Sequence, residues 1–161
     1  MKKEEIDSLR RHLVELLEGR NAHVDLPGAL AGLPPKLRGA KPEGAPHTAW
    51  QLLEHIRLAQ WDILGFSRNP KHVSPAWPAG YWPKTAAPPT TEAWNKSIKQ
   101  VRADLKSMAK LVTDKKNDLF AAFPWGDGQT LLREALLVAD HNAYHVGQIV
   151  LLRRLLGCWK D

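Results

Sequence analysis

The sequence predicts an all-α protein, a single bundle of four long helices. Three observations carry that reading: four segments repeat apolar residues at helical spacing, Gly- and Pro-rich stretches separate them, and no segment alternates polar and apolar residues long enough to make a strand. At 161 residues the chain suits one domain, residues 1–161, with room for a single core. A hydrophobic share of 43% and a charged share of 25% are ordinary for a globular protein and argue against disordered or fibrous classes.

The first helix is expected over about Lys3–Glu18, where Ile6, Leu9, Leu13, Leu16 and Leu17 share a face and Gly19 supplies a stop. From Arg20 to His47 Gly and Pro recur, which predicts a long connection packing Leu26, Leu30, Leu33 and Leu37 against the bundle. The second helix starts at Thr48, because Gln51 three residues on completes a capping box, and should run to about Phe66. Its inward face carries Leu52, His55, Ile56, Ala59 and Ile63.

The stretch Asn69–Pro89 holds Pro70, Pro75, Pro78, Pro83, Pro88 and Pro89 with Trp77, Tyr81 and Trp82 among them. A loop of about twenty residues is uncommon in a small domain unless it serves a purpose. One such purpose is a crossover, which must return along a helix about 30 Å long; an extended loop covers that distance, so the second and third helices are expected to run parallel. The third helix is expected over about Thr91–Lys116, with Trp94, Ile98, Val101, Leu105, Met108 and Val112 inward. A turn region around Phe123–Gly128 precedes the fourth, over about Gln129–Leu156, which Gly157 ends.

Composition narrows the function classes. No apolar run approaches the roughly 20 residues that span a bilayer. Lys2, Lys3, Glu4 and Glu5 open the chain without the apolar stretch of a secretory signal. The single cysteine, Cys158, allows no intrachain disulfide and leaves a thiolate zinc site short of ligands, so a cytoplasmic location is expected. The net charge of +6 raises the question of nucleic acid, yet Lys and Arg are dispersed among acids. The densest groups, Lys2-Lys3, Arg10-Arg11, Lys115-Lys116 and Arg153-Arg154, read as solvated helix faces and ends, so neither nucleic acid nor a membrane is expected as a partner.

The chemistry lies in the histidines. Asp140-His141-Asn142-Ala143-Tyr144-His145 sets two imidazoles four residues apart on the longest helix, pointing the same way and suited to one metal ion. Spacing alone is weak, since seven histidines in a chain this long give about 0.3 such pairs by chance. Position adds more: Leu137, Val138, His141, His145, Gln148, Ile149 and Leu152 form one stripe, so both rings should face inward. A lone buried histidine is more often a core residue satisfied by a neighbour, here Gln148, than a ligand. A third inward ring, His55, shifts that balance. Three close imidazoles repel when charged and compete for partners when neutral, and a divalent cation resolves both. Three ligands with an open position also match catalytic rather than structural zinc sites. His12, His23, His47 and His72 fall on charged or loop segments and carry no metal role. Tyr144 and Trp61 are expected as core aromatics, with pocket lining as the other reading.

The capped segment Thr48-Ala49-Trp50-Gln51-Leu52-Leu53-Glu54-His55-Ile56, the loop Leu26-Pro27-Gly28-Ala29-Leu30-Ala31-Gly32-Leu33 and the run Asp140–Ile149 together resemble the DinB/YfiT-like superfamily of metalloenzymes. The resemblance covers nearly the whole chain. It implies a four-helix bundle with an up-down-down-up path and a metal centre, usually zinc or nickel, on three histidines that correspond here to His55, His141 and His145. It implies thiol S-transferase-type chemistry on a small electrophile, with a low-molecular-weight thiol as partner, and leaves room for metal-dependent hydrolysis, for non-catalytic ligand binding and for a homodimer. The chain departs from a frequent family pattern at Asn142, where an acid is common, and at Val146, where Arg is common; this affects polar contacts near the site. No general base is identifiable, because Glu54 and Asp140 adjoin ligands in sequence but point about 100° away.

Overall fold

Five α-helices and two short 3-10 turns make up the computed structural model, which describes residues 2–19 and 22–160, and among these the sole β pairing is an isolated bridge between Ala122 and Thr130. The first helix, α1, spans Lys3–Glu18 and stops at Gly19, whose φ of 68° is left-handed and open to glycine without strain. Leu13 and Leu17 are buried, whereas Leu16 points outward.

The expected connection before the second long helix contains a further helix, α2 (Leu26–Leu30). Asp25 caps it by accepting a hydrogen bond from the Gly28 N–H at 2.8 Å, and Pro27 sits in its first turn, where a missing N–H costs nothing. Leu30 and Leu33 are buried and Leu26 and Leu37 lean on the same core, as the scattered leucines predicted.

The capping box at Thr48 is formed from both sides. The Gln51 N–H donates to Thr48 Oγ1 at 3.2 Å and the Thr48 N–H donates to Gln51 Oε1 at 3.0 Å. It starts α3, Ala49–Arg68, slightly longer than expected. Next comes α4, Thr91–Thr113, which ends before the expected Lys116 because Asp114 turns extended. The last helix, α5, covers Leu131–Leu155; Thr130, not Gln129, is its N-cap. Gly157 follows at φ 65°.

The long helices pack with α3 against α4 and α5, and with α1 against the same two. One core cluster joins Trp50, Leu53 and Ile56 to Trp94, Val101, Val146, Ile149 and Leu152; a second joins Leu13 and Leu17 to Leu64, Met108, Val112, Leu131 and Val138. Gln60 lies along α3 between the two sets and is satisfied internally, donating to the Val101 carbonyl at 2.6 Å and accepting from Asn142 Nδ2 at 2.9 Å.

Two sequence readings change here. Arg10 and Arg153 are buried, not solvated, at 7% and 4% exposure. Arg10 donates to the carbonyls of Val112 and Asn117 past the end of α4, and Arg153 donates to the carbonyls of Ala29 and Cys158. Each guanidinium thus satisfies carbonyls from two places in the chain at once, which a charge pair in sequence cannot reveal. Leu137 leaves the inward stripe: it is 36% exposed and joins Tyr144, Leu151 and Leu155 on the outer face of α5. Among the described residues no helix is long and apolar enough to cross a membrane.

Candidate metal centre

The capping box fixes where α3 begins, and so sets His55 in its second turn, facing α5. There His141 and His145, one turn apart, meet it. One ring nitrogen from each of the three lies within 4.8 Å of the other two, and Nε2 of His141 is 3.0 Å from Nε2 of His55. His55 and His145 are buried and His141 is half-buried.

Hydrogen bonds on the far side of two rings fix their tautomers. His55 Nδ1 stands 2.9 Å from the backbone carbonyl of Tyr81, which can only accept, so Nδ1 carries the hydrogen and Nε2 keeps a lone pair. His145 Nδ1 stands 2.7 Å from Gln148 Oε1, the neighbour the sequence offered, and the same assignment follows. Both lone pairs are therefore available to the space that His141 Nε2 also faces. Ligand nitrogens on one tetrahedral zinc ion are about 3.3 Å apart, given bonds of about 2.0–2.1 Å, so small shifts would make the cluster a ligand set. The donors fit a divalent ion of the zinc or nickel type.

The electrostatics agree. Burial, reinforced by the neighbouring His145 and His55, pushes His141 from its ordinary 6.5 down to about 3. Burial also lowers His55 and His145, only partly offset by their bonds to Tyr81 and Gln148. All three are neutral near pH 7, the form that offers lone pairs.

Aromatic rings wall the site. Trp82 lies flat on His55, centroids 3.9 Å apart and planes 1° apart, and His47 stacks on its opposite face at 3.9 Å. Tyr144 meets His145 edge-on at 5.0 Å and is 65% exposed, so it lies at the surface instead of in the core; Trp61, also exposed, lies against His72. Neither is the core aromatic expected from sequence.

His12, His23 and His72 stay apart from the cluster. His12 is exposed and pairs with Glu15, and exposed His23 bonds the Val24 carbonyl. His72 lies in a loop, as expected, with its side chain turned inward: its Nε2 sits 2.7 Å from Asp62 Oδ1 and its side chain is 8% exposed. Glu54 binds Arg57 through both oxygens at 2.8 Å, and Asp140 is exposed. Sequence reasoning missed Trp82, His47 and the Tyr81 carbonyl; the signal available was the aromatic, proline-rich loop itself.

A family model described as the DinB superfamily matches residues 18–149, a span that includes all three histidines, the whole of α3 and α5 as far as Ile149. The chain belongs to the DinB superfamily. No curated protein and no solved structure matches it. For a DinB superfamily chain the departures at Asn142 and Val146 are accounted for by packing. Asn142 donates to Gln60 and Val146 is 3% exposed in the core cluster around Trp50.

Proposed function

We propose that this DinB superfamily chain is a metal-dependent enzyme whose divalent ion, zinc or nickel, is held by Nε2 atoms of His55, His141 and His145. The observation that carries the reading is the convergence of three neutral imidazoles, two of them with their lone pairs turned to a common point by bonds at Nδ1. A bound ion would acidify a thiol or a water, supplying a nucleophile at neutral pH without a strongly basic side chain. The chain's own part is to hold three ligands and leave the remaining position open, and to keep the rings unprotonated through burial. Transfer of a low-molecular-weight thiol to a small electrophile is the preferred reaction, supported by family membership.

We further propose an up-down-down-up path with a parallel crossover between α3 and α4. Supporting it, Trp50 and Trp94, near the starts of α3 and α4, have ring centroids 6.4 Å apart, and successive loop residues meet α3 in reverse order: His72 on Asp62, Trp82 on His55, Thr85 on Trp50 and Ala86 on Thr48. A homodimer in the cytoplasm belongs to the same reading, supported by the exposed stripe Leu137, Tyr144, Leu151 and Leu155 on α5. Sedimentation equilibrium should return twice the chain mass of 18.1 kDa, and a monomer at micromolar concentration rejects the dimer.

Elemental analysis of protein purified without a metal-affinity tag should find about one zinc or nickel per chain. Incubation of that protein with a thiol and an alkylating electrophile should give metal-dependent consumption of the thiol. Hydrolysis without thiol consumption would move the assignment to a metal-dependent hydrolase. Full metal content with no turnover of either kind would leave a binding protein.

A further inference from the structure

The proline-rich loop is fastened to α3 at a site that the proposed chemistry does not use. Asp62, 9% exposed, sits two turns after His55 on the same helix. One of its oxygens lies 2.7 Å from His72 Nε2 and the other accepts from the Tyr81 hydroxyl at 2.6 Å, so a single carboxylate grips the loop at two points nine residues apart. His72 fits there because Gly65 has no side chain: a Cβ at Gly65 would stand 2.5 Å from the His72 ring. The loop in turn touches His55 at two points next to the grip, through the Tyr81 carbonyl on Nδ1 and through Trp82 flat on the ring.

We infer that Asp62, with Tyr81 and His72, is a positioning device that sets the tautomer and orientation of His55 by anchoring the loop that carries the Tyr81 carbonyl and Trp82. None of the three side chains reaches the space between the histidine nitrogens; they act through residues 81 and 82. Partners beyond the ligands that orient a metal-binding imidazole typically affect metal affinity about 10–100-fold. The inference rests on the metal reading above, but the state of His55 in metal-free protein can be read independently of it.

The test uses the full chain with Asp62→Ala, Tyr81→Phe and Asp62→Asn, and Met108→Ala as a control that loosens the core without touching the loop. Zinc affinity is measured by competition with a chromophoric chelator, and the His55 tautomer by imidazole nitrogen NMR of metal-free protein. Asp62→Ala and Tyr81→Phe should weaken zinc binding about 10-fold or more and convert the single Nδ1–H form of His55 into a mixture. Asp62→Asn, which keeps an acceptor for the Tyr81 hydroxyl, should recover most of both. Met108→Ala should lower Tm yet leave both readouts unchanged. Wild-type zinc affinity and a wild-type His55 spectrum in Asp62→Ala and Tyr81→Phe would overturn the inference and leave Asp62 a structural residue. A wild-type chain that takes up no zinc would instead overturn the metal reading, and the NMR comparison would then decide the positioning role alone.

Discussion

Tyr81 reaches the histidine cluster through its backbone and the protein interior through its side chain. Its carbonyl accepts from His55 while its hydroxyl donates to Asp62, and burial together with that carboxylate pushes the phenol up to about 12, so it remains a donor across the physiological range. The three imidazoles themselves carry a direct prediction. Replacing His55, His141 or His145 by Ala should abolish stoichiometric metal binding, and His23→Ala should leave it intact; a full metal equivalent in purified His141→Ala would reject the ligand assignment. That three rings meet was legible in the sequence, because the capping box set the register of His55 and a four-residue spacing on a helix is fixed geometry. Trp82 and the Tyr81 carbonyl were not, since a loop has no period and its contacts with a distant helix follow from three-dimensional packing. Arg10 and Arg153 were misread for a related reason: their partners are carbonyls at the ends of other segments, and a carbonyl leaves no mark in a sequence.

At the scale of the helices, the start of α3 does more than begin a helix. Thr48 is 1% exposed; its hydroxyl oxygen accepts from the Gln51 N–H while the same hydroxyl donates to the Ala86 carbonyl at 2.6 Å, tying the far end of the loop to the helix that bears His55. Losing an N-cap costs about 1 kcal/mol, and losing the hydrogen bond to the Ala86 carbonyl adds about 0.5–1.5 kcal/mol. Thr48→Ala should therefore destabilise the protein by about 1.5–2.5 kcal/mol in urea melts, and Thr48→Ser should restore most of it; a loss of about 1 kcal/mol or less would show that the Ala86 bond is dispensable. Long amphipathic elements were the legible part of the fold because each repeats its apolar face several times, as Val101, Met108 and Val112 do on α4. The five-residue α2 is too short for a period, and its Asp25 cap and Pro27 were the only local marks it could leave.

For the whole molecule, the question is what the cluster costs when no ion is bound. Two buried apolar clusters run through the helices, so the fold has a core that does not depend on a metal, unlike a small zinc-dependent module. Metal-free protein should then be helical at pH 8. Acid changes the balance with a definite sign. In the unfolded chain each histidine takes up a proton as pH falls through about 6.5, while folded His141 stays neutral down to about 3, so between these values the unfolded state holds the extra proton. Stability is fully present above about 6.5 and falls on acidification by up to about 1.4 kcal/mol per pH unit for this one group, with His55 and His145 shifted in the same direction. Burial pushes the carboxyls of Asp104 and Glu134 up, and those two act in the opposite sense, so the histidine contribution must be isolated. Thermal melts of chelated wild type followed by circular dichroism should show Tm falling from pH 8 to pH 5, and His141→Gln, which cannot take the proton, should show a shallower fall. Equal slopes would exclude His141 as a source of the acid sensitivity, and a chelated wild type already unfolded at pH 8 would mean that the ion holds the fold together.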